Sequence, residues 1–286
     1  MSQDRFEAAR PRIRGLAYRM LGTFADADDV AQDTWLRWQA AGGEHIANAE
    51  AWLVTTATRL CLDRLRSAAR TREVYPGPWL PEPIVTEPGP DGAAELADSL
   101  SLGFLVLLDQ LAPVERAVFV LAEVFEVPYA EIAATVGRSE AACRQIASRA
   151  RRRLRPDERR PSAAADRELV DGLLRALAAG DVAGVIARLA PQVVCLTDGG
   201  PHKGAARRPV AGSGLVARFL TGSARRFRHV TTRPAVVGGA AGAILAAGDT
   251  IEQVLAVTAA DGLITAIYAV GNPDKLGAVG AAPFLE

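Results

Sequence analysis

Residues 127–154 read VPYAEIAATVGRSEAACRQIASRARRRL, and their spacing predicts two short helices joined by a tight turn. Tyr129, Ile132, Ala133 and Val136 recur at three-to-four spacing, which lays one apolar face along the first helix. Gly137 supplies the unhindered backbone that the turn needs. Ser139 stands where an N-cap belongs, its hydroxyl able to accept from the amides that open the second helix. On that helix Ala142, Cys143, Ile146, Ala150 and Leu154 form a narrow apolar stripe of mostly small side chains. Arg144, Ser148, Arg151 and Arg152 point the opposite way with Gln145 beside them, and Arg138, Ser139, Ala141 and Arg149 complete the polar side. Between 138 and 160 nine arginines face three acids, a local net charge of about +6 in a chain that is neutral overall. A solvated amphipathic helix can carry arginines too. Segregated charge on the second helix of such a turn is the footprint of nucleic acid, with arginines long enough for phosphates and base edges.

The 286 residues, 49% hydrophobic, suffice for two or three compact domains with their own cores. The N-terminal stretch MSQDRFEAARPRIRG is charged throughout, so no cleavable leader is expected. The longest apolar run, 235–247, is short and broken by glycines, so no membrane partner is expected and the cytoplasm is the expected location. Cys61, Cys143 and Cys195 lie far apart without CxxC or Cys/His spacing. They read as small buried hydrophobes, with no metal, cofactor or disulfide expected.

Residues 5–70 read as helices throughout. Ile13, Leu16, Ala17, Met20 and Leu21 form an apolar face that ends at Gly22. A second helix begins near Ala25 and carries Asp26, Asp28, Asp29 and Asp33 beside Val30, Trp35, Leu36 and Trp38. Acids in an opening turn suit the helix dipole, but Asp29 and Asp33 with Gln32 between them also make an acidic polar strip. A glycine-bearing loop, 40–49, leads to a third helix over 50–70. Its apolar Trp52, Leu53, Leu60, Cys61 and Leu65 oppose outward Thr55, Thr56, Arg59, Arg64 and Arg66. Residues 71–103 are proline-rich and read as an extended linker, with Trp79 and Leu80 as apolar anchors inside Pro-Trp-Leu-Pro-Glu-Pro. Helix resumes at 104–110 and continues in the apolar segment 111–125. Beyond residue 162, helices are expected at 166–179, 182–190 and 214–227. Strands are expected at 193–197, 230–237, 243–253, 254–259 and 263–270, the last pair joined by an Asp261-Gly262 turn. Asp198, His202, His229, Asp249 and Tyr268 are acid-base residues in that part, but no spacing brings two of them together.

DADDVAQDTWLRW followed by AWLVTTATRLCLDRLR resembles the core-binding and promoter-opening region of sigma-70-type initiation factors. EIAATVGRSEAACRQIASRARRRL resembles their C-terminal promoter-reading region. Their order and spacing resemble the two-domain extracytoplasmic-function class. The C-terminal part resembles a SnoaL-like, ketosteroid-isomerase-like fold, and WLPEP at 79–83, DGG at 198–200, AARRPV at 205–210 and NPDKL at 272–276 resemble the SigJ-like group of such factors. One departure stands out: where that group continues DGGGK, this chain has Pro201 and His202 before Lys203.

The resemblance implies a multidomain chain of two all-α sigma domains and a C-terminal α+β cone. Its parts would be a core-polymerase and downstream-box domain (1–70), the linker (71–103), a helix-turn-helix domain for the upstream box (104–157) and a regulatory domain (162–286). Asp28, Asp29, Gln32, Asp33 and Leu36 would dock on the polymerase β′ clamp, with the helix-turn-helix domain at the β flap. The loop 41–48 with Trp52, Thr55, Thr56 and Arg59 would receive the downstream box and its melted strand. Trp79, Leu80 and Pro81 would share one regulatory surface with Asp198, Gly199 and Gly200 and with Asn272, Pro273, Asp274, Lys275 and Leu276. Such a chain would be no enzyme, and its sequence calls for no separate anti-sigma factor. The rival reading is a helix-turn-helix regulator with a small-molecule-binding C-terminal domain, which leaves the acidic strip without a use.

Overall fold

The computed structural model describes residues 2–72, 75–86, 101–154, 163–201, 205–227, 229–277 and 279. They fall into two compact units, one built from residues up to 72 together with 105–154, the other from 75–86, 101–104 and the described residues between 163 and 279.

The first unit is helical. Helix α1 (Ser2–Leu21) buries Ile13, Leu16, Ala17 and Met20 as their period predicts, and adds Tyr18, which stacks on Phe24 at 5.1 Å between ring centres. Gly22, at φ 84°, ends it, and Thr23 caps α2 (Phe24–Ala40) by accepting from the Asp26 amide at 3.2 Å. Trp38 of α2 is fully buried. A Cβ on Gly43 would stand 2.1 Å from its indole, so the loop after α2 closes only with glycine there. Asn48 caps α3 (Ala49–Arg72) through the Ala51 amide at 3.1 Å.

Helices α4 (Leu102–Asp109), α5 (Pro113–Glu123), α6 (Tyr129–Val136) and α7 (Glu140–Leu154) follow. Arg116 of α5 is 5% exposed and donates to the Met20 carbonyl at 2.8 Å and to Asp109 at 2.6 Å. Arg12 donates to the Phe125 carbonyl at 2.9 Å. Burying a guanidinium is costly unless it is paired, and Arg116 is held by Asp109, seven residues back, and by the Met20 carbonyl, 96 positions away. Helix α5 and the residue Phe125 after it thus meet α1, while α6 meets α3.

The second unit sets α8 (Ala163–Ala179), α9 (Val182–Ile186) and α10 (Ser213–Ala224) against a seven-stranded sheet. Its strands are β1 (Val85–Thr86), β2 (Leu189–Asp198), β3 (Val210–Ala211), β4 (Thr231–Val237), β5 (Ala240–Ala247), β6 (Thr250–Ala260) and β7 (Leu263–Val270), in the order β1-β4-β5-β6-β7-β2-β3. Neighbours run antiparallel except β2 and β7, which are parallel. Val170, Leu173, Val185, Val216 and Ala217 from the helices meet Val193, Cys195, Ala243, Leu245, Val257 and Ile267 from the sheet in one core. Register shifts in the β2–β7, β5–β6 and β6–β7 ladders bend the strands, giving the expected α+β cone.

Three features differ from the sequence reading. The apolar run 243–253 is the end of β5 and the start of β6, because Gly248 at φ 58° turns the chain back with Asp249. Gly238 and Gly239, at φ 54° and 79°, make a second two-residue turn between β4 and β5. And part of the linker joins the sheet: Val85 and Thr86 pair with Val237 and Val236 of β4, and the Gly238 amide donates to the Ile84 carbonyl at 2.7 Å. A segment whose prolines remove amide donors can pair only at an edge, which is where β1 lies.

Candidate functional site

The arginine-bearing helix has the two faces its sequence promised. Cys143, Ile146, Ala147, Ala150 and Leu154 are buried, while Ala141, Arg144, Gln145, Ser148, Arg149, Arg151 and Arg152 are exposed. Ala147 takes the inward place assigned to Ala142, which is half-buried. Gly137 closes α6 at φ 68°, Arg138 and Ser139 are exposed, and the Ser139 hydroxyl accepts from the Ala142 amide at 3.2 Å. The outward arginines differ in their surroundings. Arg144 pairs with Glu140 one turn back and lies 5.3 Å over the Tyr129 ring. Arg151 is drawn to α5, its Nε 2.7 Å from Glu123 and its terminal nitrogen 3.3 Å from the Tyr129 hydroxyl. Arg155, Arg159 and Arg160, the tail of the basic run, lie outside the described residues.

On α2, Asp28, Asp29, Gln32 and Leu36 are exposed along one strip and Asp33 is half-buried at its side. Leu36 is 53% exposed. The acids are held by arginines of their own unit: Arg64 reaches Asp29 at 3.2 Å and Asp33 at 3.0 Å, and Arg14 reaches Asp28 at 2.5 Å.

Helix α3 does not present all the residues assigned to it. Thr56 is buried, and Trp52 is half-buried with its ring edge-on to Trp38 at 5.6 Å. Thr55 and Arg59 face α6. The hydroxyls of Thr55 and Thr135 lie 3.0 Å apart, and Arg59 donates to the carbonyls of Thr135 and Ala134 at 3.2 and 3.1 Å. Arg59 thus caps the carbonyl end of α6, a favoured place for a cation.

In the second unit three separated motifs meet at one carboxylate. Asp198, at the end of β2, is 1% exposed. Its Oδ1 accepts from the Tyr75 hydroxyl at 2.6 Å and the Gly200 amide at 3.0 Å. Its Oδ2 accepts from the Leu80 amide at 2.8 Å and from Lys275 Nζ at 2.7 Å. Lys275, 6% exposed, also donates to the Leu80 carbonyl at 2.6 Å and lies 4.0 Å over the Trp79 ring. Asn272 donates to the Tyr75 oxygen at 3.0 Å and accepts from the Asp274 amide at 3.2 Å, fixing the turn Pro273–Lys275. Four donors answer four acceptor positions on the carboxylate, the condition for burying such a charge. Gly200 sits at φ 60°, and a Cβ there would meet the Asn272 amide at 2.7 Å. A Cβ on Gly199 would meet Ala205 at the same distance.

Leu80 is fully buried, Pro81 is buried and Trp79 only half-buried, so Leu80 rather than the tryptophan is the deep anchor. Leu276 is buried, while Pro273 and Asp274 are exposed. Tyr75 was missed by the sequence reading; its signal was a hydroxyl-bearing aromatic at the head of the same proline run. Burial, then its bond to Asp198, raises the Tyr75 phenol well above its ordinary range. Asp198 is thus fully engaged, and His229 pairs with Glu252 at 2.9 Å; His202 and Lys203 lie outside the described residues. All three cysteines are buried and unpaired, and burial pushes the Cys195 thiol up to about 12 and those of Cys61 and Cys143 in the same direction. Among the described residues no helix is long and apolar enough to cross a membrane.

Residues 5–71 match the Sigma-70 region 2 family and residues 102–154 the Sigma-70, region 4 family, which defines the class as sigma-70-type factors. Over 291 residues the chain is 39% identical to the ECF RNA polymerase sigma factor SigJ of Mycobacterium tuberculosis, across 96% of this chain and 93% of that protein. It is 31% identical over 288 residues to the probable ECF RNA polymerase sigma factor SigI of the same species, across 95% and 93%. The crystal structure of the M. tuberculosis SigJ superposes with a TM-score of 0.77 at 37% identity, covering 96% of this chain and 98% of that one. The chain belongs to the extracytoplasmic-function sigma factors, the alternative sigma factors of the sigma-70 family, and carries a C-terminal extension.

Proposed function

We propose that this chain binds core RNA polymerase in the cytoplasm, directs it to specific promoters and is regulated by its own C-terminal unit. The exposed strip of Asp28, Asp29, Gln32 and Leu36 supports docking on the β′ clamp, an acidic surface with one apolar knob suited to a basic groove. Helix α7, with the β flap holding its unit, reads the upstream promoter box through its arginine face. The loop 41–48 and α3 take the downstream box and its melted strand.

In the arrangement described here Thr55 and Arg59 are engaged by α6. Promoter opening therefore requires α6 to release α3. The observation that carries the regulatory part is the Asp198–Lys275 clamp on the linker: α3 ends at Arg72 and Tyr75 already belongs to the clamp. The C-terminal unit thereby restrains the chain right where the promoter-opening helix ends. It regulates within the same chain, with no covalent chemistry and no separate anti-sigma factor. Polymerase, promoter DNA and the extension are its partners.

Run-off transcription with purified core polymerase tests this reading. The chain as sole added factor is expected to yield transcripts with defined starts that core alone does not make, and Leu36→Asp, which leaves the Arg64 pairs in place, is expected to abolish them. Promoter-independent transcription, or a fully active Leu36→Asp chain, would refute the proposed role or its docking face.

A further inference from the structure

Helix α7 carries five arginines, Arg144, Arg149, Arg151, Arg152 and Arg153, and they do not meet solvent on equal terms. Glu140 of the same helix pairs with Arg144. Helix α5 sends two acids across, Glu123 to Arg151 and Glu115, at 3.9 Å, to Arg153. Among the described residues no acid pairs with Arg149 or Arg152. Arg151 grips Glu123 with two nitrogens. Its Nε is 2.7 Å from one carboxylate oxygen, a terminal nitrogen bonds the other, and that nitrogen also reaches the Tyr129 hydroxyl at 3.3 Å. The planar fork of a guanidinium matches a carboxylate in this two-point manner, which fixes direction as well as distance. The two side chains are 51% and 25% exposed, and an ion pair so open adds little to folding. Its effect falls instead on what a DNA backbone meets there. Arg151 stands in the last turn of α7, away from the N-terminal residues through which such a helix reaches base edges. In that position an unpaired arginine would take a phosphate and release a counterion. Bound to Glu123, it presents a carboxylate at the same place, and carboxylate and phosphate repel.

We propose that Glu123 is a restraint on promoter binding: it withholds Arg151 from the DNA backbone, so α7 holds DNA through fewer sequence-independent contacts than its arginines would allow. The inference rests on the proposed role of α7 as the promoter-reading helix. Glu123 is a positioning residue in it and acts only through Arg151. The test uses the full-length chain assembled with core polymerase. Its affinity is measured, at several salt concentrations, for a fluorescent promoter duplex defined by a run-off start site and for base-pair variants of the upstream box. Glu123→Gln keeps the shape and removes the charge. It is expected to tighten binding to every variant alike and to steepen the salt dependence by roughly one. The gain over wild type then grows by roughly three- to fourfold with each fourfold fall in salt. Adding Arg151→Gln to that chain is expected to return the slope to the wild-type value. Misfolding does not tighten binding, so this readout separates a restraint from a structural role. An unchanged slope in Glu123→Gln, against a steep one for wild type, would overturn this inference alone. So would a loss of preference at one base pair, which would make Glu123 a support that aims Arg151 at a base. A wild-type complex that binds an unrelated duplex as well as the promoter would overturn the reading role of α7, and this inference with it.

Discussion

Arg144 and Arg152 stand on one exposed helix face, yet their positions assign them different work. Arg144 lies early on α7, steered by Glu140 and the Tyr129 ring, so it is presented in a set direction. Arg152 is exposed in the last turn, and Arg151 beside it is turned aside by Glu123. Arg144→Ala is predicted to cost about 1–3 kcal/mol of promoter binding and to relax preference at one upstream base pair. Arg152→Ala is predicted to weaken all sequences alike and to lower the salt slope by roughly one. Titrations across a small set of operator variants at several salt concentrations separate the two. Equal, sequence-independent losses for both would show that base readout lies elsewhere. Arg151 was indistinguishable from Arg152 in the sequence. The difference comes from Glu123, 28 positions away on α5, and no local spacing reports it.

At the scale of elements, the amphipathic periods of α1, α3 and α7 were legible because burial repeats with the helical turn. The α3–α6 contact was not. It is made by two threonine hydroxyls and by a guanidinium on backbone carbonyls, groups that read equally well as outward and polar. The strand pattern failed at Gly248-Asp249 for a related reason, since alanine and glycine on both sides blur where one strand ends. A cross-link tests the contact. Thr55→Cys with Thr135→Cys replaces hydroxyls 3.0 Å apart, and the native cysteines are buried and poorly ionised, so the new pair is expected to oxidise selectively. The oxidised chain is predicted to lose promoter-dependent transcription by about tenfold or more, as expected when the open state is withheld, and reduction is predicted to restore it. Full activity in the oxidised chain would mean that α3 works while seated on α6.

For the whole molecule, the resemblance to a family brought the WLPEP, DGG and NPDKL motifs onto one surface, but the chemistry at its centre was visible only in the fold. Asp198 and Lys275 are 77 positions apart, and nothing in their local sequence says that each is the other's counterion. Folding hides both and leaves one arrangement in which every donor and acceptor is answered. Removing one partner strands the other charge, so Lys275→Met is predicted to destabilise the C-terminal unit by about 3–5 kcal/mol in chemical denaturation. That loss is large enough to free the linker for much of the time while the helical unit stays folded. The most direct measurement is run-off transcription by core polymerase with equal amounts of wild-type and Lys275→Met chains, their helices intact by circular dichroism. The account predicts the same start sites and a several-fold change in transcript yield, because the clamp sets how freely the chain beyond α3 can rearrange. Equal yields, with Lys275→Met shown by proteolysis to have released Tyr75 and Leu80, would contradict it.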